Sequence, residues 1–221
     1  INSPRQRLSS TSTLCITTTM TSPSCPFCTI ASSTPPISPT TAAAEPTQPS
    51  TASPVPAPTT HLILSTEHVL AFLDIMPLTR GHVLVTPRRH YEMLGDVSVA
   101  VGQEMGKWLP ILSRVVTRTV LGEDAEKHWN VVQNNGARAA QQVPHVHFHI
   151  IPRPAAEGAW NPRLKPSYAM FGRGQRDDLD DDEGATLASE MRAELAREVQ
   201  RVFEEEGVDL DLDDMKERGK L

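Results

Sequence analysis

The chain has 221 residues, enough for one domain with extensions. Hydrophobic residues make up 38% and aromatics 5%, low for a chain folded along its whole length. The net charge of -6 supplies no basic field for nucleic acid, and no apolar run is long enough to span a bilayer.

Residues 1–24 are rich in Ser and Thr, with Arg5 and Arg7 early and no acidic residue before Glu45. They read as sequence upstream of a start at Met20, or else as an organelle transit peptide. The first reading places the protein in the cytoplasm and also the nucleus, the second in mitochondria. Cys25-Pro-Phe-Cys28 follows, a pair that suits either redox chemistry or half of a zinc site. A thioredoxin-like role requires a βαβ context, which the Pro/Thr-rich sequel does not supply. Residues 25–30 are therefore set apart as a small knuckle, and Cys15 has no partner in the pattern. Residues 31–60 are dominated by Pro, Ser, Thr and Ala and read as a disordered insert, with too little apolar surface to offset ordering entropy.

The folded domain is expected over 61–153. HLILS and VLAFLD read as short strands, and GHVLVTP, Gly81 to Pro87, as a third. Residues 98–121 read as a helix, with Met105, Leu109, Leu112 and Val116 at helical spacing. Pro110 lies inside it and is expected to kink it. WNVVQN, Trp129 to Asn134, and HVHFHII, from His145, are the fourth and fifth strands. Short turns between strands and one long helix predict an α+β fold with an antiparallel sheet. In the C-terminal extension, 154–221, residues 183–206 form an amphipathic pattern with Leu187, Met191, Leu195, Val199, Val202 and Phe203 on one stripe. The acidic run before it suits the positive end of a helix dipole.

HVHFHIIPR, His145 to Arg153, carries three of the chain's 8 histidines at alternate positions. In a strand His145, His147 and His149 share one face, and Val146, Phe148 and Ile150 the other. The apolar set belongs in a core, which leaves the histidines facing a groove or solvent. At strand rise the outer two lie roughly 13 Å apart. One zinc ion, with nitrogen ligands at about 2.0–2.1 Å, cannot bind all three. The imidazoles must therefore divide between ligands or steps. The small-residue loop Asn135 to Gln142 leads into them, and its backbone N–H groups could cradle an anion. An imidazole row beside an oxyanion cradle points to phosphoryl chemistry.

With these residues in place the chain resembles the histidine-triad (HIT) family of nucleotide hydrolases and transferases. The pattern His-φ-His-φ-His-φ-φ, φ being apolar, is met at every position from His145 to Ile151. NNGARAAQQVPHVHFHIIPR is close to the extended signature, and FLDIMPLTRGHVLVTPRRH, Phe72 to His90, matches a second characteristic segment. The resemblance covers roughly residues 25–153.

The resemblance implies a five-stranded antiparallel sheet with one long and one short helix, as a homodimer. It implies that His147 attacks the α-phosphate of a purine nucleotide, forming a nucleotidyl-histidine that water then releases. His149 would hydrogen-bond the phosphate. Asn134, Gln141 and Gln142 would hold phosphate oxygens or the leaving group. Asp74 would bind ribose hydroxyls, although Asp also favours a turn before Met76-Pro77. Phe72 and Ile75 would wall the base, and His82 would line the groove.

Some members complete the CxxC pair with two histidines. The matching positions are His90 and His145, giving a structural zinc site with Cys25 and Cys28 and no catalytic metal. Ala140 and Gln142 depart from the family, which commonly has Gly and Ser or Thr there; the hydroxyl that helps protonate an amine leaving group is absent. The favoured activity is purine nucleoside phosphoramidase. Alternatives are a dinucleoside polyphosphate hydrolase, a non-catalytic HIT-fold binding or scaffold protein, and a zinc hydrolase using HxH ligands.

Overall fold

A computed structural model describes residues 22, 24–42, 60–154 and 178–210. Five strands form one antiparallel sheet: β1 (Leu62–Ser65), β2 (Val69–Leu73), β3 (Val83–Pro87), β4 (Trp129–Gln133) and β5 (Phe148–Pro152). Their spatial order is β1-β2-β3-β5-β4. Helices α1 (Pro26–Ser33) and α2 (Pro39–Ala42) precede the sheet. Helix α3 (Val99–Leu121) lies between β3 and β4, and α4 (Asp181–Glu206) follows β5. The fold class is the expected one.

The first three strands are buried at every position. Strands that bury both faces read as continuous apolar runs, as LILS, VLAFL and VLVTP do. One face carries Val69, Ala71, Leu73, Val83, Val85 and Ile150 into the main core beneath α3 and α4. The other carries Leu70, Phe72 and Leu84 into a smaller cluster with Cys25, Phe27 and Cys28 of the knuckle. The register lines up one row across this second face: Leu62 opposite Phe72, Phe72 opposite Leu84, Leu84 opposite His149.

Helix α3 starts at an N-cap, where the Ser98 hydroxyl accepts from the Val101 amide. It runs unbroken through Pro110. The helix continues past Pro110, where a kink was expected, because Pro110 and Gly106, whose carbonyl loses its donor, are both exposed, so water can satisfy that carbonyl. Helix α4 begins at Asp180, whose carboxylate accepts from the Asp182 and Glu183 amides. Leu187, Met191, Leu195, Val199 and Val202 are buried as the stripe requires, but Phe203 is 50% exposed. It falls about 100° beyond Val202 around the helix and so leaves the stripe. Buried Glu198 on α4 pairs with Arg114 and Arg118 of α3 and with Arg201 of its own helix. These contacts supply the carboxylate with the partners a buried charge requires.

Part of the expected insert is folded. Residues 31–42 are folded, whereas 43–59 lie outside the described residues, as do the expectations for 1–21 and for 211–221. Arg88 explains the ordering of 31–42. Its Nη1 donates to the carbonyls of Ala31 and Thr34, each at 2.7 Å. Its Nη2 donates to the Ser65 hydroxyl at 2.7 Å and its Nε to the Thr66 carbonyl at 3.0 Å. The last turn of α1 is thereby capped, and Ile37 then bridges to Ser65. Among the described residues no helix is long and apolar enough to cross a membrane.

Candidate functional site

The site lies on the second sheet face, under the knuckle. Strand alternation left the histidine row facing a groove or solvent, and in the structure it faces the knuckle. His145 is fully buried and His147 is 5% exposed. The knuckle roofs them, because Phe27 makes edge-on ring contacts with both, at 5.7 and 5.3 Å between centroids. On the opposite side Val146 and Ile150 are fully buried, and Phe148 packs partly against the same core.

The row divides at His145. His145 and His147 precede the paired strand, and only His149 lies within it, opposite Leu84 and Val132. The His145 Nδ1 turns toward Cys25 Sγ at 3.4 Å and Cys28 Sγ at 3.7 Å. His90 Nδ1 stands 3.3 Å from Cys28 Sγ. All four donor atoms lie within 4.8 Å of one another. A tetrahedral zinc with its usual bond lengths sets sulfur-to-nitrogen edges of about 3.6 Å, so these spacings suit the ion.

The surroundings suit it too. His145 Nε2 donates to the Pro87 carbonyl at 2.9 Å, which leaves the Nδ1 lone pair for a metal. Burial lowers the His145 pKa to about 4, keeping the ring neutral. Burial raises the Cys28 thiol, and the neighbouring Cys25 adds to it. A cation bound between them would offset that effect and hold both sulfurs as thiolates.

His147 is held differently. Its Nδ1–H donates to the His145 carbonyl at 2.6 Å. The Nε2 lone pair is then left to act on a substrate. Burial lowers its pKa, which favours that neutral form. The His149 ring packs against it edge-on at 4.8 Å.

His149 is set by a residue that sequence reasoning placed only at the groove. His82 is fully buried as a side chain, and its Nε2 lies 3.0 Å from His149 Nδ1. The Leu78 amide donates to His82 Nδ1 at 3.2 Å. With Nδ1 accepting in this way, Nε2–H donates to His149 and the His149 proton lies on its Nε2; a proton on His82 Nδ1 reverses that bond in the neutral ring. The Asp74 carboxylate stands 3.3 Å from the same His82 Nδ1. Its other oxygen accepts from the Met76 amide at 2.9 Å. The bond to the Met76 amide is the turn contact that Asp favours, and the contact with His82 brings Asp74 beside the histidine row. The signal for His82 was parity: it shares a β3 face with Leu84, and through Leu84 with His149.

Phe72 lies in the same row and is buried, while Ile75 is 62% exposed at the rim. Asn134 is half-buried and Gln142 exposed at the two ends of the loop. The Gln141 side chain turns into the loop: its carbonyl accepts from Gly136 N at 2.6 Å and its amide donates to Glu92 O at 2.8 Å. The backbone N–H groups of Gly136, Ala139, Ala140 and Gln141 also bond acceptors within the loop. The anion cradle expected along this stretch therefore cannot use those four amides. A short 3-10 turn at Ala137–Ala139 produces this self-bonding.

Ala140 follows that turn at φ 67 and ψ 23, in the left-handed region. A Cβ there costs roughly 1–2 kcal/mol, part of which glycine's extra unfolded-state entropy offsets. Ala140→Gly should therefore leave stability unchanged or raise it by about 1 kcal/mol. Ala140→Val, with a branched Cβ, should lower it by more than that. Thermal unfolding of the two variants checks the sign.

An antiparallel five-stranded sheet with this histidine row and a Cys/Cys/His/His cluster defines a class, and three comparisons agree on it. The HIT domain family matches residues 56–156. An uncharacterized HIT-like protein of Methanocaldococcus jannaschii is 38% identical over 120 residues, covering 54% of this chain and 83% of its own. An adenosine 5'-monophosphoramidase of Schizosaccharomyces pombe is 42% identical over 95 residues, covering 43% of this chain. The match spans 65% of that enzyme's length, somewhat under two thirds. A crystal structure of a Zn-bound histidine triad family protein from Mycobacterium smegmatis aligns at TM-score 0.51 with 28% identity, over 79% of this chain and 94% of that one. The chain belongs to the histidine-triad family.

Proposed function

We propose that this protein is a purine nucleoside phosphoramidase with His147 as its nucleophile. The observation that carries the reading is the 2.6 Å bond from His147 Nδ1–H to the His145 carbonyl, which leaves Nε2 as the attacking atom. The name of the Schizosaccharomyces relative supports the substrate class. His147 Nε2 attacks the α-phosphorus, the phosphorus–nitrogen bond breaks, and the amine leaves with a proton. Water then attacks the nucleotidyl-histidine, releasing the nucleoside monophosphate and restoring the imidazole. Splitting the reaction this way replaces one difficult step with two easier ones.

The outward His149 Nε2–H donates to a phosphate oxygen as charge develops there. The Leu78 amide, by donating to His82 Nδ1, holds that tautomer, and Asp74 takes the ribose hydroxyls. Phe72 and Ile75 flank the base, and Asn134 and Gln142 border the phosphates. Gln142 has an amide and no hydroxyl, so the leaving amine takes its proton from water. Zinc, when bound by Cys25, Cys28, His90 and His145, supplies a closed structural crosslink.

Comparing AMP joined to an amine with a dinucleoside polyphosphate tests the assignment. The phosphoramidate should be preferred by at least about tenfold in kcat/KM, near the scale of a single leaving-group contact. The opposite preference would move the activity to polyphosphates.

The protein is proposed to act as a homodimer through strand β4, at an end of the sheet among the described residues. Trp129 and Val131 on edge strand β4 are 43% and 46% exposed. Exposed apolar residues on a sheet edge mark a contact surface. Light scattering should give twice the chain mass, and Trp129→Glu with Val131→Lys should halve it.

A further inference from the structure

The chemistry above gives no task to Phe27, the large side chain between the two cysteines. We propose that Phe27 is a positioning residue for His147, and that through it the occupancy of the metal site sets the nucleophile's orientation. The proposal rests on the reading of His147 as nucleophile.

Phe27 is 6% exposed. Its ring meets His147 edge-on, at 5.3 Å and 83°. It also meets Phe72 at 5.4 Å and 66°, and His145 at 5.7 Å and 61°. One aromatic side chain thus touches a metal-ligand candidate, the nucleophile and the proposed base wall. The hydrogen bond to the His145 carbonyl fixes where the His147 Nδ1 points. It leaves the ring free to rock about that bond. Phe27 on one side and His149 on another, at 4.8 Å, remove this freedom.

What fixes Phe27 is the knuckle. Helix α1 has 8 residues, too few to be stable without outside support. Arg88 grips its last turn through the carbonyls of Ala31 and Thr34. The first turn, which contains Phe27, depends on Cys25 and Cys28 facing His90 and His145. Thiols are weak hydrogen-bond partners, so these contacts hold firmly only when a metal joins them. Loss of the metal therefore releases the first turn while Arg88 keeps the last turn in place. The domain stays folded on its main core, and Phe27 moves off His147.

The test uses the full chain, zinc-loaded and chelator-stripped, as wild type, Phe27→Ala and Phe27→Leu. Three quantities are read: zinc content, AMP affinity by calorimetry, and the imidazole nitrogen NMR signals of His147. The loaded wild type should show one sharp Nδ1–H tautomer. Stripped wild type and loaded Phe27→Ala should both show broadened or mixed His147 signals and bind AMP about tenfold more weakly, as expected for lost aromatic contacts. Phe27→Leu should fall between. In the stripped protein Phe27→Ala should add less than about twofold, because both changes remove the same contact. Unchanged His147 signals in loaded Phe27→Ala would overturn the proposal, as would effects that multiply. If Phe27→Ala loses zinc or unfolds, the His147 signals of Phe27→Leu decide. Failure of AMP to bind at all would contradict the nucleotide reading, whereas the His147 signals judge the coupling independently.

Discussion

Replacing His147 with alanine is expected to lower kcat/KM by at least about 10⁴-fold, the scale of removing a nucleophile outright. The loss should fall on the chemical step, since the proposed covalent intermediate forms on His147. AMP affinity should change far less. His149→Ala should cost about 10²–10³-fold, as for a single donor to developing charge. His82→Ala should resemble His149→Ala, because in the proposed mechanism His82 Nε2, 3.0 Å from His149 Nδ1, holds that ring with its proton on Nε2. This ordering separates an enzyme from a scaffold. Equal, small effects of all three would favour a binding protein that does not turn over.

Removing the metal is the second large perturbation. Cys28→Ala, or chelation, should lower stability by about 4 kcal/mol where free zinc exceeds its Kd about 1,000-fold. In a domain of this size that reads as a fall of roughly 8–16 °C in Tm. The main core, built on α3, α4 and the opposite sheet face, does not include the knuckle. The stripped protein should therefore remain folded at low temperature, with weakened nucleotide binding but measurable turnover. A zinc hydrolase would behave otherwise: turnover would vanish on stripping at any temperature, with Tm little changed. Measuring both quantities on one sample distinguishes the two.

The strands were legible because their apolar runs are short, β-branched and bounded by turn residues. The helices were legible from their spacing. Which face each strand residue takes was partly legible, since parity links Phe72, Leu84 and His149 once the register is known. The register itself was not. Hidden features depend on partners far apart in the chain. Arg88 reaches carbonyls 54 and 57 residues away, and without it residues 31–42 read as a polar insert. His82 and His149 are 67 residues apart. Whether the histidine row met a groove or solvent stayed open, because alternation sorts faces but cannot say what covers them. Phe27, three residues into an unremarkable CPFC, supplies that cover. The loop before the triad looked like an open cradle by composition. Small residues also permit a tight self-bonded turn, and Gln141 closes it.

The central claim is that His147 carries the nucleotide during turnover. Quenching the zinc-loaded protein with an AMP phosphoramidate in mid-reaction, followed by peptide mass spectrometry, tests it most directly. An adenylyl group should appear on His147, build up to the steady state and be lost on longer incubation. It should be absent from His147→Ala. Turnover at full rate with no adduct on His147, or with the adduct on another residue, would contradict the account.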